Sequence, residues 1–202
     1  MPPRRWVLAT VAAAVALGGA GWLIGQQFTS STSLVHRRTT KPALSTAAPG
    51  LVTFQDPAGG FAGSYPASWQ RVPTSDPGVV LVVSAGDGSA SLEVRKTPIG
   101  APVNAANLGA AKKITDRVVR GGKDVKYLRQ PQQVVLGGLP GYLYLYTFAD
   151  PTSGQMGAHA HYFLFQGSTM ISLVFQALPA QLIYSLAPMF DRLAATFRAV
   201  PG

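Results

Sequence analysis

Three consecutive segments in the second half of the chain decide its fold: GYLYLYTFAD (141–150), GAHAHYFLFQ (157–166) and TMISLVFQA (169–177). Each is rich in aromatic and β-branched residues and is bounded by turn-forming residues, which is typical of β-strands. Only Gly167 and Ser168 separate the second segment from the third, and a connection of two residues is the usual length of a tight hairpin. The sequence therefore predicts three successive strands of one antiparallel sheet.

The predicted hairpin fixes which side chains share a face. With a two-residue turn, His159 lies opposite Gln176 and Phe163 lies opposite Ser172. The other face collects larger apolar side chains: Tyr162, Leu164, Ile171, Leu173 and Phe175. We expect this second face to form the core, and the first, mixed face to need a helix or a partner over part of its area.

An aromatic row follows one side of the first segment, formed by Tyr142, Tyr144, Tyr146 and Phe148. A strand that is covered on both faces would explain this row. The alternative is a hydrophobic cleft that takes an apolar ligand or a partner helix.

The residues before this block supply further strands and one helix. Apolar runs predict strands at 51–54, 79–84, 90–97, 124–129 and 132–136, the last two separated by Pro131. From Asn104 the apolar period becomes helical, with Asn104 as the expected start cap and Gly121 as the end cap. A second helix at 178–197 is expected to be divided into two pieces by Pro188.

The first helix and the residues after it carry a local excess of positive charge. Residues 112–129 contain only two acidic residues, Asp116 and Asp124. They contain seven basic residues: Lys112, Lys113, Arg117, Arg120, Lys123, Lys126 and Arg129. We expect the first five of them to form a partner-binding surface for an acidic protein, an anionic lipid or a wall polymer. A solvated helix face is the alternative interpretation.

Three short motifs in this chain resemble those of the PsbP-like family. They are F-x-x-x-Y-P-x-x-W at 61–69, G-x-P-G-Y at 138–142 and F-D-x-L-x-x-T-F at 190–197. That family shares its fold with the Ran-binding Mog proteins, and LpqN-type envelope proteins of actinobacteria belong to the same structural group. The resemblance implies an α+β domain with an antiparallel sheet of about six or seven strands flanked by helices, an α/β/α sandwich. It also implies a binding or assembly accessory rather than a catalyst.

The amino-terminal stretch WVLATVAAAVALGGAGWLI (6–24) contains no charged residue and directly follows Arg4 and Arg5. As a helix it would span roughly the 30 Å hydrocarbon core of a bilayer. A cleaved signal peptide is the alternative, because the small residues at 18–21 suit a signal peptidase. However, the apolar run is longer than such peptides usually have and resumes at Trp22. We therefore expect an uncleaved signal-anchor.

These observations predict four regions along the chain. They are a cytoplasmic tail (1–5), a transmembrane helix (6–28), a flexible Ser- and Thr-rich linker (29–50) and one extracytoplasmic domain (51–202). The protein is then expected in the cytoplasmic membrane as a single-pass protein, with its C-terminal domain on the extracytoplasmic side.

Composition excludes several classes of function. Cysteine is absent, so the chain has no disulfide, no thiolate chemistry and no lipid-modified cysteine. Five of the 17 basic residues precede Leu51, which leaves 12 basic against 8 acidic residues in the domain, a net charge of +4. That modest charge gives no reason to expect a nucleic-acid partner.

Neither catalysis nor metal binding is expected from the polar residues. His159 and His161 point the same way on one strand, but their expected neighbours Gln176 and Ser172 are poor metal ligands. No G-x-S-x-G nucleophile motif and no phosphate-binding loop occurs, and Glu93 is the sole glutamate, expected on an exposed strand face. The sequence thus predicts no enzyme, no cofactor and no metal site.

The prediction from sequence is a non-catalytic, membrane-anchored accessory domain that binds a subunit of a membrane complex or a component of the cell envelope. The alternative is a carrier of a lipid or another apolar small ligand, held by the aromatic row from Tyr142 to Phe148.

Overall fold

The computed structural model describes residues 50–200, which form nine strands, two α-helices and one 3-10 helix. In chain order they are β1 (Leu51–Asp56), β2 (Phe61–Pro66), β3 (Gln70–Arg71), β4 (Val79–Ser84), β5 (Ala90–Val103), α1 (Leu108–Arg120), β6 (Lys126–Leu136), β7 (Leu139–Ala149), β8 (Met156–Ala177), the 3-10 helix (Ala180–Leu182), α2 (Ile183–Ala194) and β9 (Arg198–Ala199). None of the helices in this range is long and apolar enough to span a membrane. The predicted tail (1–5), the anchor (6–28) and nearly all of the linker (29–50) lie outside the described residues.

The main sheet is antiparallel, with the strand order β3-β4-β5-β8-β7-β6. Its six strands confirm the predicted antiparallel sheet. β8 lies between β5 and β7, and the two ends of β8 have different partners. Residues 156–164 pair with β7, whereas residues 167–177 pair with β5.

β8 folds back on itself. His159 Nε2 lies 3.0 Å from Gln176 Oε1, although 17 residues separate the two along the chain. In a straight strand the two residues would be roughly 55 Å apart at 3.3 Å per residue. The chain therefore reverses near Gly167, whose φ of +57° lies in the left-handed region that glycine tolerates. This reversal confirms the predicted hairpin and its pairing of His159 with Gln176.

A second, three-stranded sheet was not predicted. It has the order β1-β2-β9, and β9 contributes only two residues at the end of the chain. Phe61 in β2 is fully buried, and its ring centroid lies 5.6 Å from that of Phe197, just before β9. The first and the last of the three sequence motifs therefore meet in space.

Two apolar clusters lie on opposite faces of the main sheet. The larger cluster packs α2 and the small sheet against the face that carries Tyr162, Leu164 and Phe175. The smaller cluster packs α1 against the other face, over the aromatic row and Phe163. The predicted core face is confirmed, and α1 is the helix that the mixed face was expected to need.

The helix boundaries differ from the predicted ones in two places. α1 begins at Leu108 rather than near Asn104, because the Asn104 side chain caps the preceding turn by accepting from the amides of Ala106 and Asn107. α2 continues through Pro188 instead of breaking there. Pro188 cannot donate to the carbonyl of Tyr184, but Tyr184 is 71% exposed, so water can satisfy that carbonyl.

One strand boundary also differs. β6 runs through Pro131 as a single strand, where the sequence predicted a break. The pairing of β6 with β7 shifts register on both sides of Arg129, so the proline occupies an irregular part of an edge strand. Edge strands and bulges are where a sheet accepts proline, since no ladder hydrogen bond is lost there.

Candidate functional site

α1 presents a row of positive charge on the side away from the sheet. Its apolar side packs on the sheet through Leu108, Ala111, Thr115 and Val119, all of which are buried. Lys113, Arg117 and Arg120 follow the opposite side at spacings of four and three residues, and all three are exposed. We call these three residues the basic stripe. None of them forms an ion pair within residues 50–200.

Lys112, the fourth predicted cation of α1, has a different role. Its Nζ lies 2.8 Å from Asp116 Oδ1 and 5.9 Å from the ring centre of Tyr144. The Tyr144 hydroxyl donates to Asp116 Oδ1 at 2.6 Å and lies 2.7 Å from Thr115 Oγ1. Lys112 therefore helps to fix α1 on β7 and is only half available to a partner.

The pKa values of this cluster follow from its contacts. Burial alone would raise the pKa of Asp116, but hydrogen bonds from Lys112 and Tyr144 outweigh it, so the pKa of that carboxyl is lowered. Burial and the neighbouring carboxylate raise the pKa of Tyr144. Asp116 is therefore an anion that is bound to Lys112 and Tyr144, and of the basic stripe it attracts Arg120.

The remaining predicted cations are divided between the two faces of the sheet. Lys123 is exposed in the loop after α1, next to Asp124, which is also exposed. Lys126 pairs with Thr147 and Arg129 pairs with Leu145, and paired residues point to the same face. That face is the one covered by α2. Lys126 and Arg129 therefore do not share a surface with the cations of α1, and the positive stretch of the sequence does not form one surface.

The aromatic row forms the floor beneath α1. Tyr142, Tyr144, Tyr146 and Phe148 are all buried and belong to the smaller apolar cluster. The Tyr142 hydroxyl donates to the carbonyl of Leu108 at the start of α1. An apolar ligand would reach these residues only after α1 had moved.

His159 and His161 are joined through Tyr146, a link that the sequence did not indicate. The Tyr146 hydroxyl lies 3.1 Å from Nδ1 of both histidines. His159 also stacks on Phe148 with ring centres 4.0 Å apart, and His161 stacks on Phe163 at 3.7 Å. Both rings are therefore held between aromatic neighbours on this face of the sheet.

The hydrogen bonds determine where the protons lie. Gln176 Oε1 is an acceptor, so His159 donates from Nε2 and its Nδ1 accepts the Tyr146 proton. The Tyr146 oxygen then accepts from His161 Nδ1, which leaves His161 Nε2 as a buried acceptor without a partner among the described residues. Burial lowers the pKa of His159 to about 4 and that of His161 well below its usual value, so both rings are neutral at pH 7.

The polar groups offer no arrangement for metal binding or nucleophilic catalysis in the part of the chain that the structure describes. No group of three or more His, Asp or Glu side chains that could hold a metal occurs there. Ser84 donates to backbone carbonyls, and the hydrogen bonds of the two described histidines go to Tyr146 and Gln176 rather than to a serine. Glu93 is half-buried and paired with Arg95 at 3.0 Å rather than exposed as predicted, and burial raises its pKa.

Sequence reasoning missed the two hydrogen-bonded clusters centred on Tyr144 and Tyr146. A threonine on the apolar side of α1, Thr115, was the one available indication that this helix meets a polar atom beneath it. No pattern in the sequence connects Asp116 with Tyr144, because 28 residues separate them and only the topology brings them together.

The comparisons with known proteins concern the fold. The chain is similar to the solution structure of cyanobacterial PsbP (CyanoP) from Synechocystis sp. PCC 6803, with a TM-score of 0.51 and 16% identity, over 79% of this chain and 98% of that chain. It is also similar to the crystal structure of LpqN, involved in cell envelope biogenesis of Mycobacterium tuberculosis, with a TM-score of 0.53 and 12% identity, over 77% of this chain and 88% of that chain.

The Ran-binding protein Mog1p of Saccharomyces cerevisiae aligns with a TM-score of 0.49 and 11% identity, over 74% of this chain and 95% of that chain, and supports no further conclusion. No protein-family model matches the chain. No curated protein matches it either. The domain has the PsbP-like fold that its motifs predicted, and at these identities the similarity establishes the fold alone.

Proposed function

We propose that this PsbP-like domain is a non-catalytic accessory, held at the outer side of the cytoplasmic membrane by the apolar segment 6–28. On this proposal the domain binds a subunit of a membrane complex or a component of the cell envelope. Support for an envelope role comes from LpqN, a protein of the same fold that is involved in cell envelope biogenesis. His159, His161 and Ser84 are engaged in hydrogen bonds that hold the fold together, which favours binding over catalysis.

The basic stripe is the observation that carries this proposal. Lys113, Arg117 and Arg120 are exposed and unpaired within residues 50–200, and the one acid of α1, Asp116, is turned toward Tyr144. Such a charged surface attracts an oppositely charged partner and orients its approach. The stripe therefore supplies the contact, with Lys123 at its end.

Charge reversal at the stripe tests the proposal. In Arg117→Glu/Arg120→Glu, two exposed attractive charges become repulsive, so we expect a native mass spectrum of the protein, released from its own membranes in mild detergent, to show that a co-purifying polypeptide is lost. The matched control is Arg192→Glu/Arg198→Glu, which makes the same change in charge at two exposed residues associated with α2 and β9. This control should keep the polypeptide.

The same spectrum reports on the anchor, because a cleaved signal peptide would shorten the chain by about 20 residues. A full-length mass with a second polypeptide supports the anchored accessory. A shortened chain carrying a small apolar molecule, unaffected by the charge reversal, would overturn it in favour of a secreted carrier.

A further inference from the structure

The outward side of α1 has the character of a surface that lies against a flat, negatively charged layer. The basic stripe occupies the side of the helix opposite to its buried residues, so its side chains project from a convex ridge. The exposed residues beside it are the small Gly109 and Ala110 and the aliphatic Ile114, which is 38% exposed.

Most of the charge on this ridge is uncompensated. The only acid in α1, Asp116, is bound by Lys112 and Tyr144, and its one further attraction is to Arg120. Asp124 is exposed in the following loop beside Lys123. Asp150 is also near Lys123, because the amide of the preceding residue, Ala149, donates to the Lys123 carbonyl at 3.0 Å. Three cations of the stripe and Lys123, set against Asp124 and Asp150, leave a net charge of +2 on this side.

The ridge lacks the aromatic anchors of a protein-binding hot spot. Such sites are rich in tryptophan, tyrosine and arginine seated in pockets. The stripe supplies arginine, but the tyrosines beneath α1 are buried and the exposed Tyr184 belongs to α2 on the other face. Lysine and arginine beside an exposed aliphatic side chain are instead typical of helices that lie at a lipid headgroup layer.

We infer that the basic stripe docks on the anionic lipid headgroups of the membrane to which the chain is attached. This inference rests on the proposed function, because the apolar segment 6–28 is what places the domain beside a membrane. It names the partner of the same surface, and it gives the domain one fixed face toward the bilayer.

The length of the linker permits this orientation. The chain enters the domain at Leu51, which packs with the larger apolar cluster on the α2 side. A domain of this size is roughly 40 Å across, and a linker over 29–50 extends to roughly 70 Å. α1 can therefore reach the membrane even though the chain enters from the opposite face.

The absence of cysteine makes a direct distance measurement simple, since any introduced thiol is the only one to be labelled. A fluorescent donor is placed on Ala110→Cys in α1, with Ser185→Cys in α2 as the matched position on the other face, because both residues are exposed. Each full-length chain is reconstituted into vesicles that carry a headgroup acceptor and are made either of phosphatidylcholine alone or with added phosphatidylglycerol.

We expect energy transfer from position 110 to rise at least about twofold when phosphatidylglycerol is present and to fall again in high salt. Transfer from position 185 should not rise. Each cation near such a surface contributes roughly fivefold to binding, so Arg117→Glu/Arg120→Glu should lower the docked-to-free ratio by roughly 25-fold or more. The salt titration of the unreversed chain gives the same information without depending on the folding of that variant.

Equal transfer from position 110 in both lipid mixtures would overturn the inference. If the charge reversal still removed a co-purifying polypeptide, the partner would be an acidic protein and the proposed function would stand. If the reversal changed neither measurement, both the inference and the proposed function would fail.

Discussion

At the level of single residues, Tyr146 bridges two histidines that burial keeps neutral. Its one hydroxyl proton goes to His159 Nδ1, and its oxygen accepts the proton of His161 Nδ1. If His159 took up a second proton, both ring nitrogens facing Tyr146 would be donors and the hydroxyl proton would lose its acceptor. Only one arrangement of protons in this cluster therefore satisfies all of its hydrogen bonds.

The stability of the domain should consequently fall in mild acid. The pKa of His159 is lowered from 6.5 to about 4 by burial, so the unfolded chain binds protons first as the pH decreases. The contribution of neutral His159 to the free energy of unfolding is fully present above pH 6.5. It is lost progressively down to about pH 4, and the loss amounts to roughly 1–3 kcal/mol. Urea unfolding at a series of pH values measures this loss.

His159→Gln is the matched variant for that measurement, because it removes the titrating ring and keeps a polar side chain at the site. Stability of the variant should change less between pH 6.5 and pH 4 than that of the parent chain. An identical pH profile for the two proteins would show that His159 does not carry the effect.

Tyr144→Phe tests the second cluster. The substitution removes the hydroxyl that donates to Asp116 and contacts Thr115, so we expect a loss of about 1–3 kcal/mol in the free energy of unfolding. The pKa of Asp116 should rise at the same time, because one of the hydrogen bonds that lower it is gone. Urea unfolding and a carboxyl titration by NMR check the two results.

Tyr184→Phe is the control for this substitution, since Tyr184 is 71% exposed and should change stability by less than about 0.5 kcal/mol. If Tyr144→Phe were as mild as the control, the hydroxyl of Tyr144 would not be fixing α1 to the sheet.

At the level of secondary-structure elements, β7 and β8 leave no room for a side chain at Gly141, where β7 pairs with β8. Gly141 lies opposite Leu164, and a Cβ built on Gly141 would overlap the carbonyl oxygen of Phe163. The G-x-P-G-Y motif therefore contains a glycine because a side chain there would separate the two strands.

Gly141→Ala should accordingly destabilise the domain by more than about 2 kcal/mol, because the clash is with backbone and cannot be relieved by a rotamer change. Gly86→Ala is the matched control, since no atom lies within 4 Å of its added Cβ. The two free energies of unfolding in urea are compared directly. Equal losses would mean that the strands separate at little cost.

The elements that the sequence predicted well are those whose periodicity is set locally. The hairpin of β8 and its pairing of His159 with Gln176 were predicted, because a two-residue turn sets which residues lie opposite each other. The boundaries at Pro131 and Pro188 were wrong, because solvent exposure and an irregular edge strand tolerate a missing amide, and neither condition is visible along the chain. The orientation of Lys126 and Arg129 was equally hidden, since it depends on their pairing with β7.

At the level of the whole molecule, the two faces of the main sheet are covered by apolar clusters of unequal size. The larger cluster joins α2, the small sheet and five strands of the main sheet, whereas the smaller one rests largely on α1 and the aromatic row. The fold class followed from the sequence. The separate three-stranded sheet did not, because β9 has only two residues and depends on β2 for pairing.

This imbalance predicts that α1 opens before the rest of the domain. In native-state hydrogen exchange, amides of α1 should exchange through partial openings with a lower free energy than those of β5 and β8, because fewer buried groups must be exposed. Urea dependence of exchange, measured residue by residue, separates the two classes. A single free energy for α1, β5 and β8 would show that the domain opens as one unit.

The reversal of β8 near Gly167 also sets the order in which the domain can form as it is synthesised. β5 lies between β4 and the second arm of β8, so one edge of β5 has no partner until residues up to Ala177 have emerged. Synthesis proceeds from the amino terminus, and the first half of the domain therefore cannot complete its sheet early. A chain whose main sheet is incomplete until the second arm of β8 has been synthesised can pass through a narrow channel before it folds.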